Sequence, residues 1–301
     1  MDVVISGSSG LVGSVLVAAL TEAGHRPIRL VRRTLKPGHD EIRWQPDLGE
    51  IDAASLEGVD AVIHLAGAGI GDKRWNEVYK QLLVSSRTEP TKLLASTLAA
   101  LDQQPQVFLS ASAIGYYGDR AGETLTETSA PGTGFLTDLV LLWEAAAQPA
   151  VDAGIRTVAL RTGIVLSRNG GALAKMLPLF RMGLGGRFGS GRQYQSWISI
   201  DDVVGAMIHL ANADVSGPAN LTAPNPVPNT EFTSTLASVL RRPAFVPVPA
   251  FGPKLLLGAE MAQALLFEDQ RILPEVLTDS GYEFAHPRLE AALRSVLDKP
   301  A

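Results

Sequence analysis

A strand-length apolar run, Asp2-Val3-Val4-Ile5-Ser6, leads into Gly7-Ser8-Ser9-Gly10-Leu11-Val12-Gly13 and then into a helix-length pattern over 11–23. Few features constrain a chain so narrowly. Glycines at these positions permit a tight strand-to-helix turn, let main-chain N–H groups approach a ligand, and let the helix pack closely on the strand. The first turn of such a helix also carries unpaired N–H groups at the positive end of its dipole. Gly7, Ser9, Gly10, Leu11, Val12 and Gly13 therefore form a candidate cradle for a pyrophosphate. Gly24 supplies a left-handed cap for the helix, and a second strand is expected over 27–31.

A site specific for NAD places an acid at the tip of that second strand, on the ribose 2′-hydroxyl. Here, 19 residues past Gly13, the chain has Arg32 followed by Arg33. One guanidinium can hold a 2′-phosphate through two parallel charge-assisted hydrogen bonds and another can stack on adenine, which predicts NADP(H) as cofactor. Two arginines solvated at a strand end would read the same way, and that alternative stays open here. A third landmark is Asp60-Ala61-Val62-Ile63-His64-Leu65-Ala66-Gly67-Ala68-Gly69, a buried strand running into small residues. Leu65, Ala66 and Gly67 can lie against a cofactor. His64, alone in an apolar strand, reads as a satisfied core residue rather than a catalytic one.

Strand-length runs over 61–65, 107–110 and 157–160 alternate with helical patterns over 74–101 and 135–153, which predicts βαβ units and a parallel sheet wound on both faces. The character changes after Leu166. Gly183, Gly185, Gly186, Gly189 and Gly191 make a glycine-rich stretch, and Ser199-Ile200-Asp201-Asp202 resembles a capping box that opens a helix through Asn212. Prolines punctuate 222–253, and helices are expected again over 254–267 and 287–297. The expected architecture is α/β: a Rossmann-type doubly wound sheet from 1–166 plus about 195–222, with a smaller α+β lobe from about 167–194 plus 223–301.

Composition removes several classes of function. With 26 Lys and Arg against 31 Asp and Glu there is no basic stripe for a nucleic acid. The absence of cysteine excludes disulfides, thiolate zinc sites and thiol nucleophiles, and the five histidines show no metal-binding spacing, so no metal is expected. The chain starts directly on a strand pattern, and its most apolar later stretch, 251–267, is broken by Lys254, Glu260 and Gln263. A cytoplasmic protein with a small-molecule substrate and no membrane partner is expected.

Together these landmarks resemble the extended short-chain dehydrogenase/reductase superfamily, and within it the epimerase-family, sugar-nucleotide-epimerase-like branch. The resemblance covers nearly the whole chain. Besides the glycine turn it rests on Lys73-Arg74-Trp75, Ser86-Arg87, Ser110-Ala111-Ser112-Ala113-Ile114-Gly115-Tyr116-Tyr117-Gly118, Trp143-Glu144, Leu160-Arg161-Thr162-Gly163, Ser196-Trp197-Ile198 and Ala223-Pro224-Asn225-Pro226. It implies a serine that bonds the substrate oxygen, for which Ser112 is the match with Ser110 beside it, and a tyrosine with a lysine four residues on. Counting back from Glu144 puts Leu136 and Val140 at those two positions, and sliding by one gives Phe135 and Leu139. Hydrocarbon cannot move a proton. Tyr116 and Tyr117 are the nearest replacements and, with Ser112, the candidate catalytic groups. Arg87 and Arg161 are candidates to reach the cofactor. Arg74, Trp75, Phe188, Arg192 and Trp197 are candidates for the substrate wall, the last three around a glycine-rich stretch that suits a mobile loop or an interdomain connector. The resemblance leaves two readings, an NADP(H)-dependent oxidoreductase or epimerase-like enzyme and a catalytically degenerate dinucleotide sensor. It also allows a homodimer through the two long helices, although their apolar stripes equally suit packing on the sheet.

Overall fold

The computed structural model describes residues 1–299. The chain runs β1 (Asp2–Ser6), α1 (Leu11–Glu22), β2 (Arg26–Val31), β3 (Glu41–Gln45), β4 (Glu50–Ile51), β5 (Ala61–His64), α2 (Glu77–Ala99) and β6 (Val107–Ala113). It continues through β7 (Thr124–Leu125), α3 (Phe135–Ala145), α4 (Gln148–Asp152), β8 (Arg156–Thr162), β9 (Ile164–Leu166), α5 (Gly171–Arg181), β10 (Tyr194–Gln195), β11 (Trp197–Ser199) and α6 (Ile200–Asn212). The last stretch holds β12 (Gly217–Leu221), β13 (Val227–Pro228), α7 (Asn229–Leu240), α8 (Phe251–Leu257), α9 (Ala259–Ala262), β14 (Arg271–Ile272), α10 (Glu275–Asp279) and α11 (Leu289–Val296).

Eight strands form one sheet in the order β12-β8-β6-β5-β1-β2-β3-β4, parallel except at the β3–β4 edge. Val3, Val4 and Ile5 of β1 and all of β5 are buried, as strands covered on both faces must be. Helices α1 and α6 pack one face around Leu16, Leu20, Val203 and Leu210, while α2 and α4 pack the other around Leu94, Leu98 and Ala150. This is the doubly wound α/β sheet of a Rossmann-type fold. From β1 the chain first builds outward through β2 and β3 and then returns to place β5 on the other side of β1. Ligands of open α/β sheets bind beyond the carboxyl ends of the strands at such a reversal, so the turn after β1 and the segment after β5 share one crevice.

A smaller lobe is built from α5, α7 and α11 around Trp197, Phe180, Phe232 and Leu293. It is tied to the sheet at several points. Strand β14 lies parallel to β7, and the Glu127 carboxylate accepts N–H groups from Asn220 on β12 at 3.0 Å and from Val276 on α10 at 3.2 Å. Asp202 accepts from Ala285 N at 2.7 Å and His286 N at 3.0 Å.

Local chemistry sets the helix ends. The Ser199 cap forms as its sequence suggests, with Oγ accepting from Asp202 N at 3.0 Å. The helix expected over 74–101 starts at Glu77, because Asn76 Oδ1 caps it by accepting from Tyr79 N at 2.8 Å. That expected over 135–153 is split into α3 and α4, since Pro149 has no N–H and fits only a first turn. That expected over 254–267 breaks at Gly258, whose φ of 92° belongs to glycine, and finishes in a π-helical turn over 263–267.

Candidate functional site

The glycine turn is sterically closed to anything larger. Gly7 has φ +67°, and a Cβ there would lie 2.8 Å from the Leu65 carbonyl carbon; one on Gly13 would run into the Gly7 carbonyl. Gly10 N donates to Gly7 O at 2.9 Å, and α1 begins at Leu11 with no side-chain cap, which leaves its first N–H groups open toward the crevice. Ser9 and Gly10 are exposed at the rim. Beneath them, Ser6 Oγ accepts from Leu65 N at 3.0 Å and from Ala66 N at 3.2 Å, so its own hydrogen points to His64 Nδ1 at 2.7 Å. His64 therefore carries its proton on Nε2, which has no partner among the described residues, and complete burial lowers its pKa to about 4. That makes it a core residue holding the Leu65–Ala66 backbone against Gly7.

Arg32 and Arg33 divide in role. The Arg33 guanidinium is clamped on Glu41 of β3: Nη1 donates to Oε2 at 2.9 Å and to Thr34 O at 2.8 Å, and Nη2 pairs with Oε1. Hydrogen bonds from Arg33 and then from the Lys36 N–H draw the Glu41 pKa down to about 2. Arg33 is thus fixed in place by in-plane hydrogen bonds, which are compatible with its half-exposed guanidinium stacking on an adenine. Arg32 is exposed and forms no ion pair among the described residues.

Arg87 is buried on α2, under the segment after β5. Its guanidinium donates to Leu83 O at 3.0 Å and Ala68 O at 2.9 Å and lies 5.0 Å from the centre of the Trp143 ring. A Cβ on Gly67 would sit 3.4 Å from its Cγ. No carboxylate pairs with it among the described residues, and burial lowers its pKa to about 10. Ser110 on β6 is 3% exposed, and its Oγ has no partner among the described residues. A buried cation without an anion, an orphan hydroxyl and a glycine cradle are together what a phosphate-bearing dinucleotide satisfies.

Further along β6 lies a buried polar network. Ser112 Oγ donates to Glu144 Oε1 at 2.6 Å, and Arg161 grips the same carboxylate with Nε–Oε1 at 2.8 Å and Nη2–Oε2 at 2.9 Å. Burial opposes the Arg161 charge, but the Glu144 hydrogen bond and charge outweigh it and hold the guanidinium above its usual pKa. Arg161 Nη1 donates to Tyr117 OH at 3.1 Å, and that hydroxyl donates to Asn220 Oδ1 at 2.7 Å. The assignments of Tyr117 to proton transfer and Arg161 to the cofactor are corrected accordingly. Tyr117 is 0% exposed with its phenol pKa raised by burial, and Arg161 is committed to an interior ion pair. Tyr116 lies with its ring 3.4 Å from the Arg161 guanidinium carbon, is only half-buried, and its hydroxyl makes no hydrogen bond among the described residues.

A cleft of about 170 Å³ opens beside this network, lined by Trp75, Gly118, Phe135, Leu136, Glu260 and Glu268 among others. Trp75 is fixed by Nε1 donating to Ile70 O at 2.9 Å and by an edge contact with Phe135 at 5.1 Å. Lys80 neutralises Glu260 at 2.7 Å. No cation pairs with Glu268 among the described residues, and burial, with Asp119 nearby, pushes its pKa up to about 7. Sequence reading missed this carboxyl. Phe267-Glu268-Asp269-Gln270 resembles any solvated turn, and only the packing of β14 beside β7 carries it back to the site.

Of the remaining candidates, Arg74 lies about the Gly258 break, 3.5 Å from where a Cβ would be. Phe188 stacks edge-on to Phe267 at 6.3 Å, and Arg192 is exposed. Trp197 is withdrawn: it is 0% exposed with Nε1 donating to Asn225 O at 3.1 Å, so it builds the core of the second lobe and no substrate wall.

Residues 3–222 match a family model described as the NAD dependent epimerase/dehydratase family, and residues 248–296 match one described as a domain of unknown function. An epimerase family protein of Mycobacterium bovis is 43% identical over 99% of this chain and 98% of its own length. The crystal structure of the human epimerase family protein SDR39U1 with NADPH superposes with a TM-score of 0.91 at 36% identity, covering 99% of both chains. A nucleoside-diphosphate sugar epimerase of Corynebacterium glutamicum gives a TM-score of 0.78 at 37% identity, over 99% of this chain and 58% of that one.

Proposed function

Because the chain belongs to the NAD dependent epimerase/dehydratase family, we propose that it binds NADP(H) in the crevice at Gly7–Gly13 and works as an oxidoreductase on a small carbonyl or alcohol compound. The observation that carries the cofactor choice is Arg32, an uncommitted guanidinium at the end of β2 where NAD sites carry an acid. The N–H groups of α1 would hold the pyrophosphate, Arg32 the 2′-phosphate, and Arg87 and Ser110 the deeper polar groups. When bound, the dinucleotide supplies or accepts a hydride. Arg32→Ala is expected to cut the preference for NADPH over NADH by about tenfold or more in calorimetric titration, since a charge-assisted phosphate contact is lost. Arg33→Ala, already occupied by Glu41, is expected to change that preference far less. If neither dinucleotide binds the wild type, the reading fails at its base.

The proton must come from this chain, and Leu136 and Val140 cannot supply it. Glu268 can. A carboxyl poised near neutrality in a largely apolar cleft gives or takes a proton at working pH, and the uncommitted Tyr116 hydroxyl stands on the other candidate route. Glu268→Gln is expected to lower the rate of NADPH oxidation with small aldehydes and ketones by about 10²-fold or more and to remove the pH-rate limb near neutrality, with NADPH affinity unchanged. A second reading, a dinucleotide sensor without turnover, is favoured by the same Leu136 in the cleft wall. Wild-type protein that binds NADPH yet turns over no member of the carbonyl panel would establish it.

A further inference from the structure

Eight of the fifteen large apolar side chains that stand exposed among the described residues fall in two short segments, 179–184 and 245–256. The segments are neighbours in space. Val248 N donates to Arg187 O at 2.8 Å, Gly189 N donates to Val248 O at 3.0 Å, and Pro243 lies 3.3 Å from where a Cβ on Gly183 would be. Met182, Leu184, Phe245, Phe251, Leu255 and Leu256, each between 63% and 89% exposed, thus share one edge of the second lobe. On α8 the last three project from one side of the helix while Pro253 is buried on the other.

Charge within the segments that build this edge has a single sign, with the exposed Glu231 at its margin. Residues 153–200 and 232–259 contain no Asp or Glu, in a chain that has 31 of them against 26 Lys and Arg. Arg181, Arg187, Arg192, Arg241 and Arg242 are exposed there, and none forms an ion pair among the described residues. An apolar patch of this kind needs a cover, and the arginines restrict what the cover can be. A second copy meeting the patch about a two-fold axis would bring the same arginines face to face. A surface that is apolar underneath and carries phosphates and carboxylates on top matches both features, with guanidinium forks on the headgroups and the apolar side chains below them.

We propose that this edge of the second lobe is a docking surface for an anionic lipid bilayer, on which the protein adsorbs without crossing. The expectation of no membrane partner rests on the apolar stretch over 251–267 being too broken to form a span. Among the described residues no helix is long and apolar enough to cross a membrane. Adsorption needs none, because it draws on a local patch rather than a span.

The test is co-sedimentation of the full-length protein with extruded vesicles, either pure phosphatidylcholine or phosphatidylcholine with roughly one third phosphatidylserine. Pelleting is expected with the serine lipid only, and it should fall steeply as salt rises from about 0.1 M to about 0.5 M. Leu255→Ser/Leu256→Ser and Arg241→Gln/Arg242→Gln are each expected to weaken partitioning by about tenfold or more while leaving the thermal midpoint in place. Equal pelleting with both vesicles, or with neither, overturns the proposal. So does self-association of the wild type without vesicles that the leucine variant abolishes, which would make this face a contact between copies.

Discussion

Arg161→Ala is expected to lower the free energy of unfolding by about 3–5 kcal/mol, because it strips the counter-ion from a carboxylate that the fold has already desolvated. The Arg161 side chain is 4% exposed and Glu144 19%, so water does little for the carboxylate left behind. The loss spreads further. Tyr117 OH and the Glu127 carbonyl lose a donor in the same stroke, and Ser112 keeps a hydrogen bond to an anion with no cation beside it. The double change Arg161→Met/Glu144→Leu removes both charges together and is expected to recover much of the deficit, since an apolar pair of similar volume owes nothing to desolvation. Urea unfolding with an unchanged slope measures both. A single-mutant loss below about 1 kcal/mol would show that the pair is wetter than its burial suggests.

The second large effect is one of acidity. In an unfolded chain His64 takes a proton near its ordinary pKa of 6.5, whereas in the folded protein it holds out until about pH 4. Between those values the unfolded state binds a proton that the native state refuses. The contribution of neutral His64 is therefore complete above about pH 6.5 and is lost as pH falls toward 4, to a ceiling of about 3 kcal/mol. Glu268 works in the opposite sense. Its folded pKa is raised from 4.5 to about 7, so the native state binds the extra proton and stability falls as pH rises through that window. The two slopes oppose each other in wild type. They largely cancel between about pH 4.5 and 6.5, so His64→Phe is expected to cost stability at every pH and to unmask the Glu268 decline toward neutrality, and Glu268→Gln to unmask the acid-side loss from His64, both read from urea midpoints between pH 4 and 8. A His64→Phe profile as flat as that of wild type would assign the acid-side loss to another group. Because His64 steadies Ser6, and Ser6 steadies the backbone at Leu65 and Ala66, dinucleotide affinity of the folded protein should hold through that range and weaken only near pH 4, where His64 takes its proton.

What the sequence reveals of this molecule follows the range of the forces involved. The turn at Gly7–Gly13, the Ser199 cap and the buried strand ending at His64 are legible because each depends on residues within a few positions of one another. Strand β3 is not: Glu-Ile-Arg-Trp-Gln alternates only briefly, and its place beside β2 is fixed by pairing of Arg29 with Glu41 and by the Arg33 clamp. The candidate site divides in the same way. Arg32 and Arg33 are adjacent and chemically equal, and only the carboxylate arriving on β3 separates them. Arg161, Tyr117 and Trp197 sit in motifs that read as functional, yet each is closed into the interior by a partner from a distant segment. Glu268 is the converse, an unremarkable surface acid in sequence whose unusual environment is made entirely by tertiary packing.

The ties at Glu127 and β14 bear on how the molecule comes off the ribosome. A nascent chain that has released its residues only as far as β12 has every strand of the large sheet, yet its buried Glu127 still lacks the Val276 N–H and β7 still lacks its neighbour. Such an intermediate carries an open edge and a desolvated carboxylate, the two features that invite aggregation. Completion therefore waits for the segment that carries β14 and α10, and a chain cut short after β12 is expected to be recovered mainly as aggregate, read from its soluble fraction on expression.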